Sequence, residues 1–179
     1  MTQLHHRFTP MAPGYDLGAF DCGQDTYNGW LTNGAEAAVK AGTAGVYLLL
    51  EEATAHPPRV VGYYAICPTG VVRDELPNSA TKSMPNPVPG FLLAKMALDR
   101  SLQGNKEAKW GTQLLVAALR RIVEAANVSG GRAIVVDADD EGLLSFYSSH
   151  SFLPAKGHPL RLYMKVATAR TLIARYDAG

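Results

Sequence analysis

Short apolar runs alternate with helix-patterned segments along this 179-residue chain, and that alternation admits few architectures. Val46–Glu51 (VYLLLE) and Arg59–Cys67 (RVVGYYAIC) read as strands, the second β-branched and aromatic. His56-Pro57-Pro58 breaks the first run from the second, and Pro68 ends the second, so the two are expected to form an antiparallel hairpin. Phe91–Leu98 (FLLAKMAL) reads as a third strand and Ala133–Asp137 (AIVVD) as a buried one. The intervening segments have a different period. From Asp25 to about Lys40, Tyr27, Trp30, Leu31, Ala35, Ala38 and Val39 recur at spacings of three and four, with Asp25 as N-cap and Gly42 as stop. Thr112 to Asn127 is a stronger amphipathic helix with the stripe Leu115, Leu119, Ile122 and Ala126, ended by Gly130-Gly131. Gly142–His150 reads as a short helix capped by Asp140, Phe152–Ala155 and Leu160–Val166 as a last pair of strands, and Ala167–Tyr176 as a terminal helix. Thr69–Gly90, with Pro77, Pro85, Pro87 and Pro89, is a long irregular connection of the kind that is functional or disordered. The order predicts an α/β or α+β fold with a mixed sheet, as a single domain over residues 1–179.

Composition narrows the function classes. Lys plus Arg is 17 and Asp plus Glu is 16, a net charge of +1, which excludes a polyelectrolyte tail and a globally basic nucleic-acid coat but not a local basic patch. Cys22 and Cys67 are far apart and match no zinc or disulfide-scaffold spacing, so no metal is expected. Met1–Pro10 has no apolar core of a signal peptide, and His5-His6 are expected in a mobile N-terminus. The apolar runs are too short to span a bilayer, so a cytoplasmic protein is expected.

Three segments carry candidate chemistry. The strand ending at Asp99 runs through Arg100-Ser101-Leu102-Gln103-Gly104 towards the strong helix, and a glycine-containing strand-to-helix turn makes an anion site. Gly104 and Gly111 allow close approach, Lys106 and Lys109 add charge, and Asn105 and Thr112 are both candidate caps for the helix. Tyr147, beside Phe146 on the short helix, is a candidate general acid, because its ordinary pKa of about 10 lies above that of a thiol. Asp137, Asp139, Asp140 and Glu141 form an acidic cluster at a strand end, which reads either as helix capping or as a general base acting through water.

Read together, these segments resemble the GNAT family of N-acetyltransferases, and within it the TacT-type toxins of bacterial toxin–antitoxin pairs. The likeness rests on Phe20-Asp21-Cys22-Gly23 followed by a helix with Trp30-Leu31, on Val61–Tyr64 (VGYY), and on Pro87-Val88-Pro89 leading into Leu92–Asp99 (LLAKMALD). It extends to Gln103-Gly104 and to the segment around Tyr147, and covers roughly residues 15 to 166.

The resemblance implies a sheet of six to seven strands splayed between the fourth and fifth. It implies acetyl-CoA held by the backbone of Met96, Ala97 and Leu98 and by the loop Gln103, Gly104, Asn105, Lys106, Lys109, Trp110, Gly111 and Thr112. Asp137 and Phe146 would line that opening, and Tyr147 would protonate the leaving thiolate. It further implies an aminoacyl-tRNA acceptor, a ribbon-helix-helix antitoxin and a possible homodimer, with Arg73, Lys82, Lys95 and Arg100 as candidate RNA contacts. The phosphate loop departs from the family pattern: Gln103–Gly111 is about three residues longer, Lys109 stands where glycine is expected, and Glu107 adds negative charge. Either Lys106 or Lys109 replaces lost backbone contacts, or donor binding is weakened. The residues therefore leave three functions open: acetylation of aminoacyl-tRNA, acetylation of a small amine or protein N-terminus, and a non-catalytic binding protein on the same fold.

Overall fold

The computed structural model describes residues 4–54, 56–77 and 81–179. In chain order the elements are β1 (His5–Pro10), α1 (Asp25–Asn33), α2 (Ala35–Ala41), β2 (Gly45–Ala53), β3 (His56–Val71), a 3-10 turn (Arg73–Glu75) and β4 (Val88–Leu98). They continue with α3 (Trp110–Ser129), β5 (Ala133–Asp137), α4 (Glu141–Ser149), β6 (Leu153–Pro154), β7 (Arg161–Lys165) and α5 (Val166–Ala178). The strands form one seven-stranded mixed sheet in the order β1-β2-β3-β4-β5-β7-β6. The chain divides into two compact units, one ending at Ile66 and resuming over Lys95–Ala117, the other made of Cys67–Ala94 and Ala118–Gly179.

In the first unit β2 pairs antiparallel with both β1 and β3. Alternation along β2 sends Val46, Leu48 and Leu50 into a core with Phe20, Leu31, Ala35, Val60, Tyr63 and Ala65. Leu49, Val61 and Tyr64 are buried as well, and the Tyr64 hydroxyl donates to the Ala117 carbonyl at 3.3 Å. Burial of both alternating sets is why VYLLLE and VVGYYA read as unbroken apolar runs. Trp30 stacks on Tyr63 at 5.9 Å, and the Tyr63 hydroxyl donates to the Tyr27 carbonyl at 2.9 Å.

The second unit holds a parallel pairing. β4 meets β5 in the register Gly90↔Ala133 to Leu93↔Val136, and β5, β7 and β6 follow in antiparallel order. Val71, Leu76, Val88, Ala133, Val135 and Tyr163 form one buried cluster of this unit. The parallel ladder stops at Leu93, whereas β4 runs on to Leu98. β5 spans Ala133–Asp137 as the apolar run predicts, and Asp140 caps α4 by accepting from the Leu143 N–H at 2.9 Å.

Several expectations are corrected. The helix expected over residues 25–40 is two helices broken at Gly34, where a Cβ would press on the Trp30 ring at 3.1 Å. Gln24, not Asp25, is the N-cap of α1, and Asp25 sits in the first turn. Gly42 ends α2 in the left-handed conformation, as expected. The prolines do not bound β3. Pro57 and Pro58 lie where the register slips between Glu51↔Arg59 and Ala53↔His56, so no regular ladder bond is lost there. Pro68 lies past Ile66, the last residue paired with β2. The expected loop from Thr69 shrinks to residues 72–87, of which 78–80 lie outside the described residues. His5 and His6 belong to strand β1, opposite Glu52 and Glu51, and not to a mobile terminus. The long helix starts at Trp110 and ends at Ser129, and the terminal helix spans Val166–Ala178. Among the described residues no helix is long and apolar enough to cross a membrane.

A Cβ at Gly90 would overlap the Ala133 carbonyl oxygen of the parallel ladder. Gly90→Ala is therefore expected to lower stability by about 2–3 kcal/mol, read as a fall in the urea midpoint at unchanged slope.

Candidate active site

In the first unit the site residues hang on the end of β4. Met96, Ala97 and Leu98 are half-buried on the part of the strand beyond the β5 ladder. Asp99 follows, only 5% exposed. Its carboxylate accepts from the N–H of Asp21 (3.0 Å), from the N–H and hydroxyl of Ser101 (2.9 and 2.7 Å) and from Arg59 Nη1 (3.4 Å). Burial acts to raise this carboxyl, but the N–H of Asp21, the two Ser101 donors and the Arg59 charge together hold it below the usual carboxylate range. Arg59 is itself fixed by Glu51 Oε1 and by Ser101 Oγ.

Phe20-Asp21-Cys22-Gly23 supports this turn from the other side. Phe20 is in the core. Asp21 Oδ1 accepts from the Gly23 N–H and from Asn28 Nδ2, which hold its carboxyl below the usual range. The Cys22 N–H donates to Asn28 Oδ1 at 2.9 Å. Gly23, at φ +86°, leaves room for the Arg100 guanidinium, which would stand 3.0 Å from a Cβ there. Gln103 closes the arrangement, its Nε2 donating to the carbonyls of Cys22 (2.9 Å) and Leu98 (2.7 Å).

The long loop is built from two left-handed residues around a side-chain cap. Gly104 has φ +73° and open space around it. Asn105 Oδ1 accepts from the N–H groups of Glu107 and Ala108, and its carbonyl accepts from the Lys109 N–H at 3.0 Å. Asn105 thus caps this turn, and α3 begins five residues later. Lys109 has φ +48°, so the lysine holds the conformation that a glycine would take without strain. Trp110 and Gly111 open α3 ahead of the Gln113 N–H, which donates to the Lys109 carbonyl. Thr112 is half-buried in that first turn, and the Trp110 ring lies 4.4 Å from that of His6. Lys106, Glu107 and Lys109 are exposed.

In the second unit Tyr147 is buried on α4, edge-on to Phe146 (5.2 Å) and Phe152 (5.5 Å). Its hydroxyl has no hydrogen bond among the described residues. Burial, reinforced by the Asp139 charge, pushes its pKa up, so the phenol stays protonated throughout the physiological range. His150 packs on Phe146 at 4.5 Å, with Nδ1 2.7 Å from the Phe146 carbonyl. The Asp137 carboxylate is held by Arg161 Nε (2.7 Å) and Nη2 (2.9 Å), and that hydrogen-bonded pair keeps it below the usual range. Of the four candidate RNA contacts, Lys95 sits 5.0 Å over the Tyr27 ring, Arg100 approaches Asp21 at 3.5 Å, Arg73 Nη1 donates to the Met84 carbonyl, and Lys82 is exposed.

The Asp99 network is what the sequence reading did not single out. Its signal was an Asp ending a strand with Ser two residues on, a pattern that places a hydroxyl and an N–H on the carboxylate.

No family model matches the chain. A tRNA-acetylating toxin of Mycobacterium tuberculosis is 33% identical over 158 residues, covering 88% of this chain and 90% of that protein. The structure of AtaT complexed with acetyl-methionyl-tRNAfMet superposes with a TM-score of 0.84 at 28% identity, over 94% of this chain and 99% of that one. A tyrosine-to-phenylalanine mutant of AtaT, bound to the C-terminus of the antitoxin AtaR and to acetyl-CoA, gives 0.78 at 25% identity, over 93% and 97%. The seven-stranded mixed sheet with its short parallel β4–β5 pairing is of the GNAT acetyltransferase class. Within that class the chain belongs to the family of tRNA-acetylating toxins.

Two outcomes follow from this geometry. Asp99→Asn keeps the shape but removes the charge that Arg59 and the two N–H groups face, at about 1.5–3 kcal/mol. Because the folded carboxyl titrates below its unfolded value, that stability is present above the unfolded pKa and is lost as pH falls through the folded one. The melting-temperature gap between wild type and Asp99→Asn is therefore expected to be widest near neutrality and to close on acidification below about pH 4. Lys109→Gly relieves the left-handed lysine and is expected to raise stability by about 0.5–1 kcal/mol in urea denaturation.

Proposed function

We propose that this protein is an acetyl-CoA-dependent N-acetyltransferase that acetylates the α-amine of an aminoacyl-tRNA and so acts as a toxin on translation. The observation that carries the reading is the 33% identity to a tRNA-acetylating toxin along nearly the whole of both chains. Complexes of AtaT with acetyl-CoA and with acetyl-methionyl-tRNAfMet support the donor and the acceptor. A complex with the antitoxin AtaR supports an antitoxin partner, which we take to be of ribbon-helix-helix type. We assign the protein to the cytoplasm, where charged tRNA is found, and take a homodimer as its working form.

The residues fit a thioester donor. Beyond Leu93 the backbone of β4 at Met96, Ala97 and Leu98 is outside the β5 ladder, which leaves strand edge for an extended pantetheine arm. An N–H of that edge would polarise the thioester carbonyl. The opening turn of α3, from Trp110 to Thr112, offers helix N–H groups and dipole to the pyrophosphate, with Lys106 and Lys109 adding charge and Gly104 allowing approach. Gln103 and Asn105 act one step back, Gln103 by tying Leu98 to Cys22 and Asn105 by shaping the turn. Phe146 packs beside Tyr147, and Asp137 fixes the end of β5 through Arg161.

In the reaction the uncharged amine of the acceptor attacks the thioester carbonyl, a C–N bond forms, and the C–S bond breaks. Tyr147 gives its hydroxyl proton to the departing thiolate, and the proton lost by the amine returns to solvent or to the phenolate. The raised pKa of Tyr147 keeps it in the donor form.

With wild type, acetyl-aminoacyl-tRNA is expected by mass spectrometry from charged tRNA and acetyl-CoA. Tyr147→Phe is expected to lower kcat by about 10²-fold or more with little change in KM for acetyl-CoA. Wild type that binds acetyl-CoA but acetylates only free small amines would replace the acceptor, and wild type that does not bind it at all would remove the enzyme.

A further inference from the structure

The second unit carries a cavity of about 250 Å³ lined by Ser151, Thr168, Thr171, Leu172 and Arg175. Four of these fall at i, i+3, i+4 and i+7 on α5, so they make one stripe along a single helix face. Ser151 enters from the turn that follows α4, in the left-handed conformation at φ +69°. The lining therefore offers three hydroxyls and one guanidinium around a single leucine.

The stretch of sequence that supplies this cavity is one-sided in charge. Residues 142–176 contain Lys156, Arg161, Lys165, Arg170 and Arg175 and no Asp or Glu, in a chain whose net charge is only +1. Asp177, the one carboxylate of α5, is taken by both terminal nitrogens of Arg120. Arg161 is paired with Asp137, and Arg170 donates to Asn127 Oδ1. Arg175 has no ion pair among the described residues. The C-terminal end of α4 would oppose an anion here, but its last carbonyls are occupied. The Phe146 carbonyl accepts from Ser149 Oγ, that of Tyr147 from the N–H groups of His150 and Phe152, and that of Ser148 from the Ser151 N–H.

We propose that this cavity is a phosphate subsite for the RNA acceptor, in which Arg175 meets one backbone phosphate and Thr168, Thr171 and Ser151 donate to its oxygens. A guanidinium beside hydroxyls suits a phosphodiester, since no lining group is a fixed negative charge and the Thr171 hydroxyl, which donates to the Ala167 carbonyl at a long 3.4 Å, can turn to a stronger acceptor. The subsite rests on the acetyltransferase reading for its ligand. It lies in the same compact unit as Tyr147, and Ser151 follows the helix that carries Tyr147, so it would help register the acceptor RNA on the unit that carries the proton donor.

The test uses the full-length protein, unacylated bulk tRNA as the probe, and titrations between about 50 and 200 mM salt. Arg175→Ala is expected to weaken binding roughly 5- to 10-fold at the low-salt end and to make the log–log salt slope shallower by about one. Arg175→Lys should keep the wild-type slope. Thr171→Val should weaken binding with the slope unchanged. KM for acetyl-CoA should stay the same in all three. If wild type acetylates charged tRNA while Arg175→Ala binds tRNA with wild-type affinity and slope, the subsite is wrong and the enzymatic reading stands. If wild type neither binds nor acetylates tRNA, both fall together. If Arg175→Ala loosens the antitoxin complex and leaves tRNA binding intact, the cavity is a protein-docking site and the RNA assignment is overturned.

Discussion

The buried Asp99 carboxylate is the fixed point on which the end of β4 depends. A carboxylate 5% exposed is tolerated only when its lone pairs are filled, and here two N–H groups, a hydroxyl and a guanidinium fill them. The donors come from three places in the sequence. Asp21 brings the segment before α1, Ser101 the turn after β4, and Arg59 the start of β3 with Glu51 behind it. One charge therefore ties four stretches of chain, and the loop that follows inherits its starting direction. Gln103 repeats the logic with a neutral group, its amide joining the last β4 carbonyl to Cys22.

β4 is a strand with two jobs. Its first half is locked, with Gly90 so close to Ala133 that no side chain fits. Its last residues run past the end of the parallel ladder and are only half-buried. An extended ligand can occupy such an edge only if the strand stays straight without a neighbour on that side; β3 backs the other side, the Asp99 N–H donating to the Val61 carbonyl at 2.9 Å, and the Asp99 network holds the far end in place. Rigidity on both sides of Met96–Leu98 is what makes this free strand edge usable for binding.

Much of this was legible in the residues. β5 and the Asp140 cap follow from a continuous apolar run and a side chain of the right type, because both are local. The β2–β3 hairpin is equally local. β1 was not legible, because His5–Pro10 has no apolar run of its own and is ordered by pairing with residues more than thirty positions away. Pro57 and Pro58 argue against a strand by their missing N–H groups, yet a register slip removes the need for those donors. Lys109 shows the same limit at the site. A lysine gives no sign of a left-handed backbone, but the Asn105 cap and the start of α3 place it there, in the conformation of the glycine the family pattern leads one to expect. The Phe20–Gly23 motif was legible as a likeness only, and its physical role, supporting Asp99 and Gln103, needed the fold.

A net charge of +1 weighs against a large nucleic-acid footprint only if the charges are evenly spread, and they are not. Carboxylates cluster at Asp137, Asp139, Asp140 and Glu141, and none follows until Asp177. Within the basic stretch, Arg161 is used up by Asp137 and Glu75, so the field near α5 comes from fewer cations than a count suggests. The same bookkeeping makes Arg175 stand out, since the carboxylate two residues on is already neutralised by Arg120. An RNA contact needs a cation whose charge is not already answered within the protein, held where the backbone can reach it. By that criterion the four cations suggested by the sequence divide. Lys95 and Arg100 are engaged with Tyr27 and Asp21, and Arg73 holds the Met84 carbonyl, whereas Lys82 is exposed and meets the criterion as Arg175 does.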